Sequence, residues 1–258
     1  MRKKLIPATL TASILLTVTV FMSACQKPQE PVAKKPQPEG ALAKELDEMR
    51  ESMKAKVPLD AKAVMKKANQ DLIDSGILDT ALKVGDTAPD FTLSDATGQP
   101  VHLENELKNG PVVITFYRGK WCPYCNTALV ALAETTPAIN GAGARVLAVS
   151  PQTPDNSLST QEKHDLPYRV LSDPGNQTAN DFGIVFTLAK DLVPIYKKFG
   201  IDLADVNGED SNQLPLPATY VIDTNGKITW AFVDTDYTRR AEPAEVLAAV
   251  EALTTSPH

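Results

Sequence analysis

Trp121-Cys122-Pro123-Tyr124-Cys125 is the stretch of this chain best equipped for chemistry. A strand-like run at 112–117 precedes it and a helix-like run at 123–138 follows. Cys122 then falls at the helix N-cap and Pro123 at the first helical position, which proline favours. The unpaired N–H groups and the positive end of the helix dipole face the Cys122 sulfur and favour its thiolate. Cysteines so placed ionise between about 3.5 and 7.5 rather than near 8.5. Arg118 and Lys120 add positive charge nearby. Cys125, three residues on, shares the helical face and is within reach of a disulfide. One reversible bond follows, with Cys122 attacking and Cys125 resolving. Other uses fit less well. A zinc half-site has no second Cys pair, and His102, His164 and His258 are scattered. A structural disulfide this short restrains little chain. Two buried inert thiols sit poorly beside Trp121, Pro123 and two cations. Strand, Cys-x-x-Cys, helix is the context in which the pair reads as redox-active, and neither metal nor cofactor is expected.

The elements that must hold this pair are legible around it. The 112–117 run, Val-Val-Ile-Thr-Phe-Tyr, is apolar without alternation, as for a strand buried on both faces. Further strands are predicted at 145–150 and 168–171, and short helices at 175–182 and 190–199. Residues 152–162 are polar and read as loop or helix start. The runs 218–223 and 227–234 flank Asn225-Gly226, a strong hairpin signal. In the second run Ile228, Trp230 and Phe232 alternate as in a half-exposed strand. A helix at 243–253 follows. Two more helices precede all of this, at 41–56 and from Pro58 to about Gly76. Leu42, Leu46 and Met49 mark the face of the first. Strand–helix–strand, then hairpin, then helix implies an α/β protein with a mixed sheet flanked by helices.

Composition allows one good core plus appendages: 258 residues, 43% hydrophobic, 22% charged and 6% aromatic. The net charge is -6, and removing the three cations of residues 1–24 leaves 23 basic against 32 acidic groups, or -9. So acidic a chain carries no footprint for nucleic acid.

The first residues read as an address. Arg2, Lys3 and Lys4 precede an apolar stretch that ends in Met22-Ser23-Ala24-Cys25. That is the plan of a secretory signal, with a membrane-spanning helix as the other reading. Cys25 after Ser-Ala resembles a bacterial lipobox, with Met22 where Leu is usual. The resemblance implies a signal peptide over 1–24 and lipidation of Cys25. It also implies an exported protein anchored to a membrane, the outer one facing the periplasm if the cell has two. Residues 25–40 are Pro-rich and suit an extended tether. A helical extension over 41–82 and a main domain over 83–258 complete the expected organisation.

Several separated motifs identify that domain as resembling the peroxiredoxin-like (AhpC/TSA) branch of the thioredoxin superfamily. They are Gly85-Asp86-Thr87-Ala88-Pro89-Asp90-Phe91-Thr92-Leu93, Phe116 to Asn126, Leu171-Ser172-Asp173-Pro174, and Pro217-Ala218-Thr219-Tyr220-Val221-Ile222-Asp223. Asp236-Tyr237 and Arg240 resemble a tail feature of the branch. The resemblance implies a thioredoxin-like fold, Cys122 as attacking thiol and Cys125 as resolving thiol. It also implies that Pro217 is the superfamily's cis-proline, exposing backbone for substrate pairing. The sequence departs from the pattern too. The proline and the hydroxyl usual seven and three residues before the attacking Cys are Thr115 and Gly119 here. Arg118 could stabilise thiolate and peroxide in the hydroxyl's stead, or form a surface ion pair. For Arg240 the surface ion pair is the expected role.

Two activities follow from this reading. One is a thiol peroxidase that reduces hydroperoxides and is re-reduced by a thioredoxin-like donor. The other is an extracytoplasmic thiol–disulfide oxidoreductase acting on protein disulfides through the same Cys pair. A non-enzymatic binding module is the third, and the intact Cys-x-x-Cys argues against it.

Overall fold

The computed structural model describes residues 40–255. The expected signal peptide, Cys25 and all of the expected tether but Gly40 lie outside the described residues. Among those residues no helix is long and apolar enough to cross a membrane.

In chain order the elements are α1 (Ala41–Lys56), α2 (Leu59–Asp74), α3 (Ile77–Thr80), β1 (Thr92–Asp95), β2 (Pro100–His102) and α4 (Leu103–Leu107). Then come β3 (Val112–Phe116), α5 (Pro123–Gly141), β4 (Arg145–Ser150), α6 (Pro154–Lys163), β5 (Arg169–Ser172) and α7 (Gln177–Asp181). β6 (Val185–Thr187), α8 (Val193–Lys198), α9 (Leu203–Asn207), β7 (Gln213–Pro215), β8 (Ala218–Ile222), β9 (Ile228–Val233) and α10 (Pro243–Thr255) complete the chain. Seven strands form one sheet in the order β2-β1-β5-β4-β3-β8-β9, and β6 pairs with β7 separately. β3, β4 and β5 run parallel, while β8 and β9 run antiparallel to their neighbours. This is the mixed sheet flanked by helices, and the thioredoxin-like architecture, that the sequence implies.

The central strand alternates strictly between two cores. Val112, Ile114 and Phe116 enter one, with Leu147, Phe182 and Tyr220. Val113 and the following Tyr117 enter the other, with Leu129, Leu132, Val246 and Val250. Burying each such side chain contributes about 1.5–3 kcal/mol. Leu42 and Leu46 of α1 join the second core, so the helical extension packs on this domain. Glu242 fixes α1 from the other end of the chain by accepting the Ala43 N–H at 2.6 Å.

Some elements escaped the sequence. Residues 154–163 form a full helix whose buried face is polar, with Ser157 bonded to Ser172 at 2.9 Å. Hydrophobic periodicity cannot register such a face. The region 190–199, by contrast, is helical as expected, a 3-10 turn followed by α8 with Pro near the start of the helix. Strands β6 and β7 have three residues each and pair across a long insertion.

Register sets where the site must be. Phe116 at the end of β3 lies beside Val149 of β4 and Ala218 of β8, and Ala218 lies beside Val233 of β9. Four segments therefore leave the sheet at one edge: 117–122, 151–153, 217 and 234–242. This is the carboxyl end of the parallel strands, where open α/β sheets place their ligands.

Candidate active site

The segment after β3 is held on both sides. Tyr117 N–H bonds Val149 O at 3.0 Å, and Lys120 N–H bonds the Gln152 side chain at 2.6 Å. Gly119 sits at φ +146, open to glycine and little else. A Cβ there would lie 2.6 Å from the Trp121 indole nitrogen. So the missing hydroxyl at this position has a physical reason. Cys122 N–H then bonds Gly119 O at 3.0 Å, and Cys122 caps α5 with Pro123 as its first residue.

Both sulfurs are thiols and both residues are fully buried. Two guanidiniums close on them. Arg118 Nη2 donates to Cys122 Sγ at 3.4 Å, and Arg118 is 4% exposed. Its Nη1 reaches the Tyr196 hydroxyl at 3.3 Å, and its carbon stands 4.5 Å from the Tyr237 ring and 5.1 Å from the Trp121 ring. Trp121 thus packs beside the site. Arg240 Nη2 donates to Cys125 Sγ at 3.0 Å and lies 4.0 Å from Cys122 Sγ. Its Nη1 donates to the Tyr237 and Arg239 carbonyls at 2.7 and 2.6 Å.

Two expectations are corrected here and one is narrowed. Arg240 forms no surface ion pair; it is buried at the sulfurs, and the neighbouring Arg239 takes the ion pair, with Asp234 at 2.7 Å. The sequence shows two adjacent arginines in a polar run, and nothing in it says which one turns inward. Of the two expected roles of Arg118, the surface ion pair is set aside and the place at the Cys122 sulfur is the one it occupies. Third, no peptide bond among the described residues is cis, so Pro217 is trans. It is also buried, and its carbonyl accepts from Asp234 N–H at 3.4 Å. The backbone expected to be open for pairing is therefore already engaged.

The charge also settles differently from the N-cap argument. Burial pushes the Cys122 thiol well up, and its hydrogen bond to Cys125 and that sulfur's charge add to the rise, against the pull of Arg118 and Arg240. Burial opposes charge on Cys125 as well. There the hydrogen bond from Cys122 and the charges of Arg240 and Arg118 outweigh it and bring the thiol well down. The two thiols titrate as a coupled pair, and the guanidinium at 3.0 Å favours negative charge on the Cys125 side of it. A 3.0 Å contact is short for N–H···S, as charge-assisted bonds are. The site therefore offers a thiolate, two donors able to receive a developing oxyanion, and a second thiol to close a disulfide.

Away from the site, Asp90, His102 and Glu104 group together on the surface. Asp90 already bonds the His102 ring at 2.5 Å and the Glu104 N–H at 3.0 Å.

Residues 84–231 match the AhpC/TSA family. The chain belongs to the AhpC/TSA family. Peroxiredoxin Q of Sedum lineare chloroplasts is 31% identical over 144 residues, 56% of this chain and 65% of that protein. The Gentiana triflora chloroplast protein of the same name is 32% identical over 56% of each chain. The chain thus spans under two thirds of the length of these relatives. Peroxidoxin BcpB from Mycobacterium tuberculosis aligns with a TM-score of 0.55 at 25% identity, covering 67% of this chain and 98% of that one. Xanthomonas campestris peroxiredoxin Q aligns at 0.51 and 20% identity, over 69% and 99%, which speaks for the fold alone. The AhpC/TSA match takes in both cysteines and Arg118. It excludes Arg240, α1 and α2.

Proposed function

We propose that this protein is a thiol peroxidase that reduces hydroperoxides at the Cys122–Cys125 pair. The observation that carries the reading is a buried cysteine pair with one guanidinium donating to each sulfur, Arg118 to Cys122 and Arg240 to Cys125. The thiolate attacks one peroxide oxygen, the O–O bond breaks, and the alkoxide leaves as an alcohol with a proton. The sulfur becomes a sulfenic acid. The partner thiol then displaces its oxygen as water and closes the disulfide. A thioredoxin-like donor reduces the disulfide and is itself oxidised. Arg118 and Arg240 receive the leaving charge, as oxyanion-stabilising donors do.

The contacts favour Cys125 as the attacking sulfur and Cys122 as the resolving one. This reverses the order expected from the sequence, and the 3.0 Å bond from Arg240 is its support. Thiol–disulfide exchange on protein clients finds less support, because Pro217 and both sulfurs are buried. Export and membrane anchoring through lipidated Cys25 complete the proposal. Metabolic labelling with a fatty acid tests this last part, and Cys25→Ser removes the label if it is right.

The activity is tested by steady-state consumption of cumene hydroperoxide with reduced thioredoxin as donor. Catalytic consumption that vanishes in Cys125→Ser is expected. Consumption no faster than with the donor alone overturns the reading.

A further inference from the structure

The join between the first two helices stands clear of both cores. Residues 51–60 comprise the last turns of α1, the Val57-Pro58 connection and the start of α2. None of them is buried, and only Val57 is half-buried. Two large apolar side chains lie bare in this corner, Met53 at 36% and Leu59 at 82% exposed. Leu59 is the most exposed large apolar side chain among the described residues. The family match begins at residue 84, so the corner is an addition of this chain to the shared fold.

The charge of the corner opposes that of the molecule. Residues 52–70 hold five lysines against one acid, Asp60. The rest of the chain after residue 24 holds 18 basic against 31 acidic groups. Lys54 stands 3.6 Å from Glu51, and Lys67 pairs with Asp71. Lys56, Lys62 and Lys66 form no ion pair among the described residues. Leu59, Lys62 and Lys66 recur at three- and four-residue spacing, so one face of α2 carries them. It is the face opposite Ala61, Val64, Met65 and Ala68, which turn toward the domain.

Unpaired lysines around a bare leucine fit the boundary of an anionic bilayer. Headgroup phosphates meet the ammonium groups, and the acyl layer beneath receives the apolar side chain. The reach also fits. Cys25 precedes Gly40 by fifteen residues, a span of up to about 50 Å. The 16 residues of α1 carry the chain about 24 Å further. A chain held at Cys25 can therefore lay the corner on the membrane that holds it.

We infer that the α1–α2 corner is a docking face for anionic phospholipid, with Lys56, Lys62 and Lys66 at the phosphates and Leu59 entering below them. It converts a domain on a tether into one held on the surface by a fixed face. The inference rests on the reading of Cys25 as a lipid anchor only for where the docking occurs. Binding itself needs no lipid on the protein. Each lysine near such a surface is worth about fivefold in binding, and salt weakens it as the screening length shortens.

The test is vesicle co-sedimentation of residues 25–258 carrying Cys25→Ser, which keeps every described residue and removes the lipidation site. Vesicles of equal phosphatidylglycerol and phosphatidylcholine are compared with phosphatidylcholine alone. Binding at least tenfold tighter to the anionic vesicles is expected in 50 mM salt, and its loss in 500 mM. Lys62→Glu with Lys66→Glu should weaken it at least tenfold, and Leu59→Gln at least threefold. Lys108→Glu with Lys163→Glu changes the net charge equally from exposed sites elsewhere and should leave binding in place. All these positions but the half-buried Lys62 are exposed, so an unchanged Tm is expected in each variant. Equal binding to both vesicles, or binding that the two lysine pairs weaken alike, overturns the inference. Absence of binding overturns it too and leaves an acidic protein as the partner of the lysines. Vesicle binding without fatty-acid labelling of Cys25 supports the docking face, and the anchor reading alone then falls.

Discussion

Arg240 Nη2 lies 3.0 Å from Cys125 Sγ, although 115 residues separate the two in the chain. The contact exists because β8 and β9 return the chain to the edge where β3 ends. The loop after β9 then turns Arg240 inward, tied to the Tyr237 and Arg239 carbonyls. It places a second guanidinium at the second sulfur of the motif, while Arg118 meets the first at 3.4 Å.

Arg240→Met tests that charge. With the guanidinium present the Cys125 thiol ionises well below the ordinary thiol range, so the peroxide rate should be level across neutral pH. Without it the thiolate is favoured only at higher pH. An opposite charge at contact is worth about one to three pKa units. The rate at pH 7 should fall at least tenfold, and the inflection of the pH–rate profile should move up. A profile that stays in place would show that Arg240 only packs.

Gly119→Thr restores a hydroxyl where the family pattern expects one. The positive φ and the 2.6 Å approach of the Trp121 nitrogen leave it no room. Backbone strain of this kind costs about 1–3 kcal/mol. A lower Tm and a slower peroxide reaction are expected, measured by calorimetry and stopped flow. A faster variant would mean that the hydroxyl was merely missing.

How much of this was legible in the sequence depends on the interaction concerned. Strand β3, the N-cap at Cys122 and the 222–228 hairpin are local, written in apolar runs, Pro123 and Asn225-Gly226. α6 was half-hidden because Ser157 and Thr160 bury hydroxyls instead of hydrocarbon. Arg240 at Cys125 and Glu242 at α1 join residues over a hundred positions apart, and no spacing rule reports such pairs. The cis state expected at Pro217 was borrowed from resemblance, and the structure has it trans.

Glu242→Ala removes the acceptor of the Ala43 N–H, a buried bond between the first helix and the loop before the last. A buried donor left unpaired costs about 1–3 kcal/mol. For a domain of this size that lowers Tm by about 2–4 °C per kcal/mol. Gly40→Ala should act alike, since its Cβ would sit 2.2 Å from the Glu242 carboxyl carbon. Differential scanning calorimetry reads both variants, and unchanged Tm values would dissolve the clamp.

Asp95 makes the stability of the β1–β2 hairpin depend on acid. Burial opposes its charge, but the Thr97 hydroxyl, the Gln99 and Thr97 N–H groups and Arg169 outweigh that and hold its carboxyl below the usual range. A depressed folded value stabilises above the unfolded value, near 3.9, and that gain disappears as pH falls through the folded one. Asp95→Asn should therefore be less stable than the parent at pH 7, by about 2 kcal/mol. The gap in urea midpoint should close as pH falls below about 4. A gap constant with pH would assign the loss to shape alone.

The central claim is that a thiolate of this buried pair reduces hydroperoxides, and single-turnover stopped flow on the reduced protein tests it most directly. Cumene hydroperoxide is mixed with the parent, with Cys122→Ser and with Cys125→Ser, and dimedone then traps any sulfenic acid for mass spectrometry. The parent should react far faster than free cysteine and end as the disulfide. Cys122→Ser should react as well and stop with dimedone on Cys125, while Cys125→Ser should react no faster than a free thiol. Fast reaction in Cys125→Ser with dimedone on Cys122 would contradict the order of the sulfurs, and a parent no faster than free cysteine would contradict the peroxidase itself.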